Sequence, residues 1–290
     1  MVDSHVTVLQ DGRDLGWLEV GDPAGAPVFA FHGTPGSRLV GTTSDEAARS
    51  AGVRFVCPDR PGYGLSSFQP GRRLVDWPGD VTALADHLGI DRFAVMGVSG
   101  GGPHSAVCAA LLGDRVTVAA IVSGVGPLGD PAAMEGMMRL NRVLATLSRR
   151  RVPVVRLLMG SQVAVARRWP EQGMEFFLKQ LPEPDAAVMR RPEVRALFLE
   201  EANKAPRTSA KSAAQDFELF SHDWGFSLRD ITVPVHLWQG DVDVNVPAGH
   251  ARIQHEAIPG SVLHECPGEG HFLAFDHMGE ILETLAAGAG

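Results

Sequence analysis

The sequence contains few cysteines and only one tyrosine, and its 3 cysteines are far apart among 290 residues. Cys57, Cys108 and Cys266 form no C-x-x-C pair and lack the cysteine–histidine spacing of a zinc site. This spacing excludes a disulfide scaffold and a zinc finger. Each cysteine lies among apolar or small residues, so we expect three buried side chains that behave as small hydrophobes.

Long apolar runs and an excess of basic residues are also lacking. No stretch approaches the roughly 18 consecutive apolar residues of a membrane span. The N-terminus has neither a basic n-region nor an apolar h-region, so we expect no signal peptide and a cytoplasmic location. With 26 Lys+Arg against 34 Asp+Glu, the net charge is −8, which argues against nucleic acid as a partner.

The sequence has no phosphate-binding loop, no G-x-G-x-x-G and no set of metal ligands. We therefore predict that the protein needs neither a cofactor nor a metal ion. What remains is a chain with 44% hydrophobic residues, enough for one large core with an inserted subdomain.

Short β-rich runs alternate with segments of helical length. The nearly continuous apolar runs predict buried parallel strands at 27–31, 53–57, 92–97, 115–123 and 233–238. The intervening segments predict helices at 37–51, 76–89, 101–113 and 247–258. The first strands, about 4–10 and 14–20, alternate apolar and polar residues and predict an edge hairpin. This order predicts an α/β fold with a doubly wound, mostly parallel sheet.

The strand pattern stops near residue 124 and resumes at 231. Between them the chain is helical in character, with turn signals at several prolines. We predict a helical cap over 128–225, inserted into a core formed by 1–127 and 226–290. Six of the nine methionines lie in this segment, and we name Met137 and Met138 as candidates for an apolar substrate pocket. Packing of one cap helix on another is the alternative explanation for such methionines.

One serine lies in the setting of a nucleophile. Gly97-Val98-Ser99-Gly100-Gly101 follows an apolar strand and precedes a helix of small residues, which is the setting of a nucleophile elbow. The tight turn lifts the Ser99 hydroxyl above the sheet and directs the N–H of Gly100 towards a bound group. The alternative is a glycine-rich turn that is only structural. A glycine after the nucleophile predicts extra room beside it.

A second loop, His32-Gly33-Thr34-Pro35-Gly36, follows the strand at 27–31. Since proline has no N–H, the N–H of Thr34 is the natural second donor to an oxyanion, beside that of Gly100. Gly33 leaves the backbone accessible to substrate. We expect His32 to be structural and to bond the backbone of the loop. Further along, we expect Asp59 and Arg60 to pair within the turn that runs to Ser66.

These motifs together resemble the α/β-hydrolase superfamily, in its order and spacing from about residue 27 to 275. The resemblance implies an acid after the strand that ends near Gly240 and a histidine in the following Gly270-His271 loop. It implies Ser99 as nucleophile, Asp243 as acid and His271 as base, in the order expected for this fold. The family's spacing from Gly240 selects Asp243 over Asp241, which we expect to be a rim residue.

A serine hydroxyl needs an adjacent base, and the base needs a carboxylate that holds its tautomer. The leading prediction is a serine hydrolase that cleaves a carboxylic ester, thioester or lactone of a small molecule with an apolar part. One alternative is a C–C hydrolase or an enzyme similar to prolyl aminopeptidases, although Thr34 stands where the latter usually carry glycine. Another is a ligand-binding protein or receptor with little turnover. Fold alone does not separate these functions.

Overall fold

The computed structural model describes residues 3–204 and 209–289. Eight strands form one sheet, in the order β1-β2-β4-β3-β5-β6-β7-β8. Their bounds are β1 Ser4–Val8, β2 Asp14–Gly21, β3 Ala26–Phe31, β4 Val53–Pro58, β5 Phe93–Val98, β6 Val116–Val122, β7 Val235–Gly240 and β8 Val262–Cys266. From β4 to β8 along the sheet, all neighbours are parallel. The predicted doubly wound, mostly parallel sheet is confirmed.

Helices cover both faces of this sheet because its strands are apolar on both sides. Side chains alternate along a strand, so Phe29 and Phe31 of β3 enter one core while Val28 and Ala30 enter the other. The first core also takes residues from α2 and α3, and the second takes residues from α1 and α11. The helix bounds in the core are α1 Asp45–Ser50, α2 Trp77–His87, α3 Gly102–Leu111, α10 Gly249–Ala257 and α11 Ala274–Gly288.

The N-terminal hairpin lies at the edge of the sheet as predicted. β1 and β2 are antiparallel, with Ser4 opposite Leu18 and Val8 opposite Asp14. The predicted helix at 37–51 is replaced by a 3₁₀ helix, Arg38–Ser44, followed by the shorter α1. Its residues include a glycine and two threonines, which are poor helix formers. The C-terminal helix α11, which packs against the sheet, was not among the predicted elements.

Between β6 and β7 the described residues form six α-helices: α4 Arg139–Ser148, α5 Val152–Arg168, α6 Pro170–Leu178, α7 Glu183–Met189, α8 Pro192–Lys204 and α9 Ser209–Ser221. They form the helical cap and have apolar clusters of their own. Met159, Met174 and Met189 are buried in these clusters, so they serve helix packing. The boundaries 128–225 stay a prediction.

All three cysteines are free and buried, as expected. Burial raises the pKa of the Cys57 and Cys108 thiols above the ordinary value, so both remain neutral. No helix within residues 3–204 and 209–289 combines the length and apolarity needed to cross a bilayer.

Candidate active site

Ser99 occupies a sharp turn between β5 and α3. Its backbone φ is +55°, a left-handed conformation that is uncommon for a residue with a side chain. The turn closes tightly because the residues two positions before and after Ser99, Gly97 and Gly101, lack a Cβ. A Cβ on Gly97 would come within 2.1 Å of the Gly101 carbonyl oxygen, and one on Gly101 within 2.1 Å of the Phe31 carbonyl oxygen. The two glycines therefore allow the strand–turn–helix geometry that holds the Ser99 hydroxyl above the sheet.

Three predicted side chains, from separate parts of the chain, form one hydrogen-bonded chain. The Ser99 hydroxyl lies 3.0 Å from Nε2 of His271, and Nδ1 of His271 lies 2.8 Å from Oδ2 of Asp243. Asp243 is buried, and its Oδ1 accepts the N–H groups of Asn245 and Val246, each at 2.8 Å. Because a carboxylate only accepts, Nδ1 of His271 carries the proton and Nε2 is free to accept from Ser99.

The surroundings of His271 raise its pKa. Burial is the largest single influence and opposes the charged imidazolium. The negative charge of Asp243 and its hydrogen bond, helped by the charge of Asp185, outweigh burial and raise the pKa of His271 above the ordinary 6.5. This environment makes the imidazole a better proton acceptor.

The two neighbouring aspartates have different environments. Asp243 is 4% exposed and faces His271, whereas Asp241 is exposed and its Oδ1 accepts the N–H of Gly268 at 2.7 Å. Asp241 thus bonds local backbone at the rim, and no hydrogen bond joins it to the imidazole. This geometry agrees with the spacing argument that selected Asp243.

The residues predicted as oxyanion donors, Thr34 and Gly100, lie close together beside the serine. A Cβ on Gly33 would lie 3.7 Å from the Ser99 hydroxyl oxygen, so the loop runs directly past the nucleophile. A Cβ on Gly100 would lie 3.1 Å from the Thr34 nitrogen and only 2.2 Å from Oγ1 of Thr34. The expectation of extra room after the nucleophile is therefore wrong, because the Thr34 side chain fills that space.

His32 is structural, as expected. Its Nδ1 donates to the Gly33 carbonyl at 2.8 Å, and its Nε2 accepts the N–H of Arg60 at 3.0 Å. The expected pairing of Asp59 with Arg60 is wrong. Asp59 instead accepts from Nη1 of Arg38 at 2.7 Å, while the Arg60 guanidinium turns towards the cap. Local sequence favoured the wrong partner, because Arg60 is adjacent to Asp59 in the chain whereas Arg38, 21 residues away, reaches it only through the fold.

Three carboxylates of the cap reach the core loops, and sequence reasoning missed all of them. Asp185 of α7 accepts the N–H of Phe272 at 2.9 Å, beside the His271 loop. Burial raises the pKa of Asp185. Glu201 of α8 accepts from the Ser37 hydroxyl at 2.6 Å, and burial raises its pKa to about 7. Asp216 of α9 is fully buried and bonds the Thr34 hydroxyl at 2.6 Å.

One signal in the sequence could have revealed Asp216. It lies on a helix that also buries Ala213 and Ala214 and places Phe220 in the main core, and Asp216 is the carboxylate among its buried side chains. A lone carboxylate among such side chains needs a buried partner, since an unpaired buried charge is costly. Its partners, however, lie more than 140 residues away in the chain.

The two candidate pocket methionines have different positions. Met137 is buried in the main core cluster, whereas Met138 is half-buried and its N–H donates to the Val244 carbonyl at 2.6 Å. This bond connects the start of the cap to the segment that carries Asp243. A role for either methionine in substrate binding stays a prediction.

Within the described part of the chain, one group of side chains has donor atoms close enough to hold a metal ion. Ligand atoms of Cys266, Glu269 and His277 lie within 4.8 Å of one another. Hydrogen bonds account for the closeness of His277 and Glu269, because Nε2 of His277 lies 2.9 Å from Glu269 and its Nδ1 lies 3.2 Å from Glu280. The group is separate from the hydrogen-bonded chain at Ser99.

Fold and site together define an α/β hydrolase. The chain belongs to the α/β-hydrolase fold family, whose pattern matches residues 26–278. A solved structure of a hydrolase from Pseudomonas aeruginosa has the same fold, with a TM-score of 0.74 and 18% identity over 99% of this chain and 98% of that one.

Three curated relatives are similar over most of this chain. The chain is 29% identical to the dihydrolipoyllysine-residue acetyltransferase component of an acetoin cleaving system from Pseudomonas putida, over 95% of its length and 66% of that longer protein. It is 26% identical to the uncharacterized hydrolase YcgS of Bacillus subtilis, over 92% and 91% of the two chains. It is 28% identical to a probable proline iminopeptidase of Streptomyces coelicolor, over 90% and 87%.

Proposed function

We propose that this protein is a serine hydrolase that cleaves a carboxylic ester, thioester or lactone of a small molecule through an acyl-enzyme. The family and the names of its relatives support a hydrolase. One observation carries the finer proposal: the Ser99 hydroxyl, His271 and Asp243 form a hydrogen-bonded chain with distances of 3.0 and 2.8 Å.

In this proposal Ser99 attacks the carbonyl carbon of the substrate while His271 Nε2 takes the hydroxyl proton. Asp243 holds the proton of Nδ1 and stabilises the imidazolium that forms. The carbonyl oxygen becomes an oxyanion and accepts from the N–H groups of Thr34 and Gly100. The imidazolium then gives its proton to the leaving oxygen or sulfur as its bond to the carbonyl carbon breaks, so an ester releases an alcohol, a thioester releases a thiol, and an opened lactone keeps its hydroxyl on the acyl group.

Deacylation repeats the same steps with water. His271 removes a proton from a water molecule, which attacks the acyl carbon and forms a second oxyanion at the same two donors. Collapse of this intermediate releases the carboxylic acid and returns the proton to Ser99. The enzyme is then ready for another turnover, and no cofactor enters the scheme.

A fluorophosphonate probe tests the nucleophile directly. We expect stoichiometric labelling at Ser99, a burst of p-nitrophenol from a short-chain p-nitrophenyl ester, and loss of both in Ser99→Ala. The variant should keep the wild-type circular dichroism spectrum, because Ser99 is at a turn and its hydroxyl packs against no apolar core. Labelling at another residue, or full activity of Ser99→Ala, would contradict the assignment. A labelled serine without turnover would favour a ligand-binding protein.

The second candidate function is removal of an N-terminal residue from a peptide, which the Streptomyces coelicolor relative supports by its name. The same nucleophile and oxyanion donors serve either bond. A panel of esters, lactones, aminoacyl amides and β-diketones separates ester cleavage from removal of an N-terminal residue. The β-diketones also test for C–C bond cleavage. Preference for an aminoacyl amide by kcat/KM would replace the ester proposal.

A further inference from the structure

A single buried carboxylate of the cap connects to both oxyanion residues. Oδ2 of Asp216 lies 2.7 Å from Nη1 of Arg60, 2.6 Å from the Thr34 hydroxyl and 2.8 Å from the Tyr63 hydroxyl. Its Oδ1 accepts from Nη2 of Arg72. Asp216 has no exposed surface, and both guanidinium groups are almost fully buried beside it.

The charge state of this group is well defined. Burial by itself would raise the pKa of Asp216, but the charges of Arg60 and Arg72 outweigh it and hold the pKa below the ordinary range. The carboxylate is therefore ionised at neutral pH. Because each of its oxygens can only accept hydrogen bonds, all of the surrounding groups must donate to it.

The first connection runs through Arg60 to Thr34. Nη2 of Arg60 donates to the Gly33 carbonyl oxygen at 2.8 Å, and Nδ1 of His32 donates to the same oxygen, also at 2.8 Å. The Gly33 carbonyl and the Thr34 N–H belong to one planar peptide group and point in opposite directions. Donors that hold the carbonyl on one side therefore direct the Thr34 N–H to the opposite side of the peptide, and the Thr34 nitrogen lies beside Gly100, 3.1 Å from the position of a Cβ on that residue.

The second connection runs through Arg72 to the turn after Ser99. Nη1 of Arg72 lies 3.2 Å from Nε2 of His104, and Nδ1 of His104 lies 3.0 Å from the Gly100 carbonyl oxygen. Because the carbonyl only accepts, His104 carries its proton on Nδ1 and accepts from Arg72 on Nε2. The same carboxylate thus reaches Gly100, whose N–H is the other proposed donor.

We propose that Asp216 is a positioning residue for the oxyanion hole, so that the cap contributes to catalysis as well as to substrate choice. The inference rests on the proposed function. A buried ion pair is a weak source of net stability, because desolvation offsets much of the attraction between the charges. The ion pair contributes to this site through its fixed geometry. Small displacements of an oxyanion donor weaken binding of the transition state much more than binding of the substrate.

Two substitutions break the network in different ways. Asp216→Asn removes the carboxylate charge and leaves two buried arginine charges without their partner, which destabilises the fold. Arg60→Lys keeps every charge but removes the planar fork that bridges Asp216 and the Gly33 carbonyl. Arg13→Lys is the matched control, since Arg13, in the turn before β2, forms a two-pronged pair with Asp80 of α2 at 2.9 and 2.6 Å.

The readouts are kcat and KM for a p-nitrophenyl ester, with inhibition by a trifluoromethyl ketone and by the matching methyl ketone. The Ser99 oxygen adds to the fluorinated carbonyl, its proton moves to His271, and the hemiketal oxyanion occupies the hole. The methyl ketone has a similar shape, but Ser99 adds to its carbonyl only to a small extent. The ratio of the two inhibition constants therefore reports on the oxyanion donors.

We expect Arg60→Lys and any folded Asp216→Asn to lower kcat by about 10- to 10²-fold with KM nearly unchanged, below the roughly 10²–10³ of a deleted donor. The ketone ratio should fall in parallel, while Arg13→Lys changes neither. If Asp216→Asn does not fold, the kcat and ketone ratio of Arg60→Lys decide whether the inference holds. Folded variants with wild-type kcat and ketone ratio, or with a change in KM alone, would overturn the inference. A wild-type protein without turnover and without phosphonylation of Ser99 would instead overturn the proposed function.

Discussion

Replacing Asp243 by asparagine changes one atom and tests the assignment of the acid. Oδ1 of Asp243 accepts two backbone N–H groups at 2.8 Å, from Asn245 and Val246, and Oδ2 accepts from His271 at 2.8 Å. Asparagine has only one side-chain oxygen, so it can occupy only one of the positions now held by Oδ1 and Oδ2. The oxygen will remain with the two backbone donors at 2.8 Å, because turning the amide would set its NH₂ group against both of them, whereas Nε2 of Gln239, which also donates to Oδ2, is 3.4 Å away.

The NH₂ group then faces Nδ1 of His271. Since it can only donate, Nδ1 must give up its proton and accept, and the imidazole proton moves to Nε2. A protonated Nε2 can no longer take the proton of Ser99, although it still lies about 3 Å from the hydroxyl oxygen. We expect kcat to fall by about 10⁴-fold, as when the aspartate of a serine-protease triad becomes an amide. This loss corresponds to about 5 kcal/mol of transition-state stabilisation.

Asp241→Asn is the matched control, because it makes the same chemical change two residues away. The exposed Asp241 accepts one backbone N–H, from Gly268, and an amide oxygen can do the same. Steady-state kinetics with a p-nitrophenyl ester should show the large loss in Asp243→Asn alone, with both variants folded by circular dichroism. A folded Asp243→Asn with more than a tenth of wild-type kcat, or a larger loss in Asp241→Asn, would refute the reasoning.

Three further predictions concern pH, the cap and the oxyanion hole. The base must be neutral, and the pKa of His271 is raised, so kcat/KM should fall with decreasing pH at a midpoint above about 6.5; a midpoint below that value in a pH–rate profile would contradict the assigned environment. Alanine at Met137 or Met138 should change relative rates among esters of different acyl length, and an unchanged profile would remove both from the pocket. A methyl group in Gly100→Ala would come within 2.2 Å of the oxyanion-loop threonine hydroxyl and push that loop away, so kcat should fall by about 10²-fold. Gly79→Ala, where the added methyl meets nothing within 4 Å, should leave kcat unchanged, and equal kcat in the two variants would count against the assigned donors.

The elements that the sequence predicted are those whose signal is local. The apolar run predicted as a strand at 92–97 forms β5, Phe93–Val98, and the glycines around Ser99 permit a turn that other residues would block. The spacing from Gly240 to Asp243 is similarly local, because strand and acid lie within one short segment. The segment around Arg38 is less well predicted, since its weak helix formers leave the choice between an α-helix and a 3₁₀ helix to packing.

The sequence by itself determined the sheet, the cap as an insertion, and the residue types that meet at Ser99, because periodicity and short-range spacing encode them. Only the tertiary structure decided which charged groups pair. Arg60 lies next to Asp59 in the chain, yet its guanidinium meets Asp216, 156 residues away on α9. The physical reason is that a buried charge pairs with the oppositely charged group that the fold places beside it, away from water. Local sequence patterns do not encode such long-range contacts. The contribution of the cap to the oxyanion loop therefore became visible only when the chain was folded.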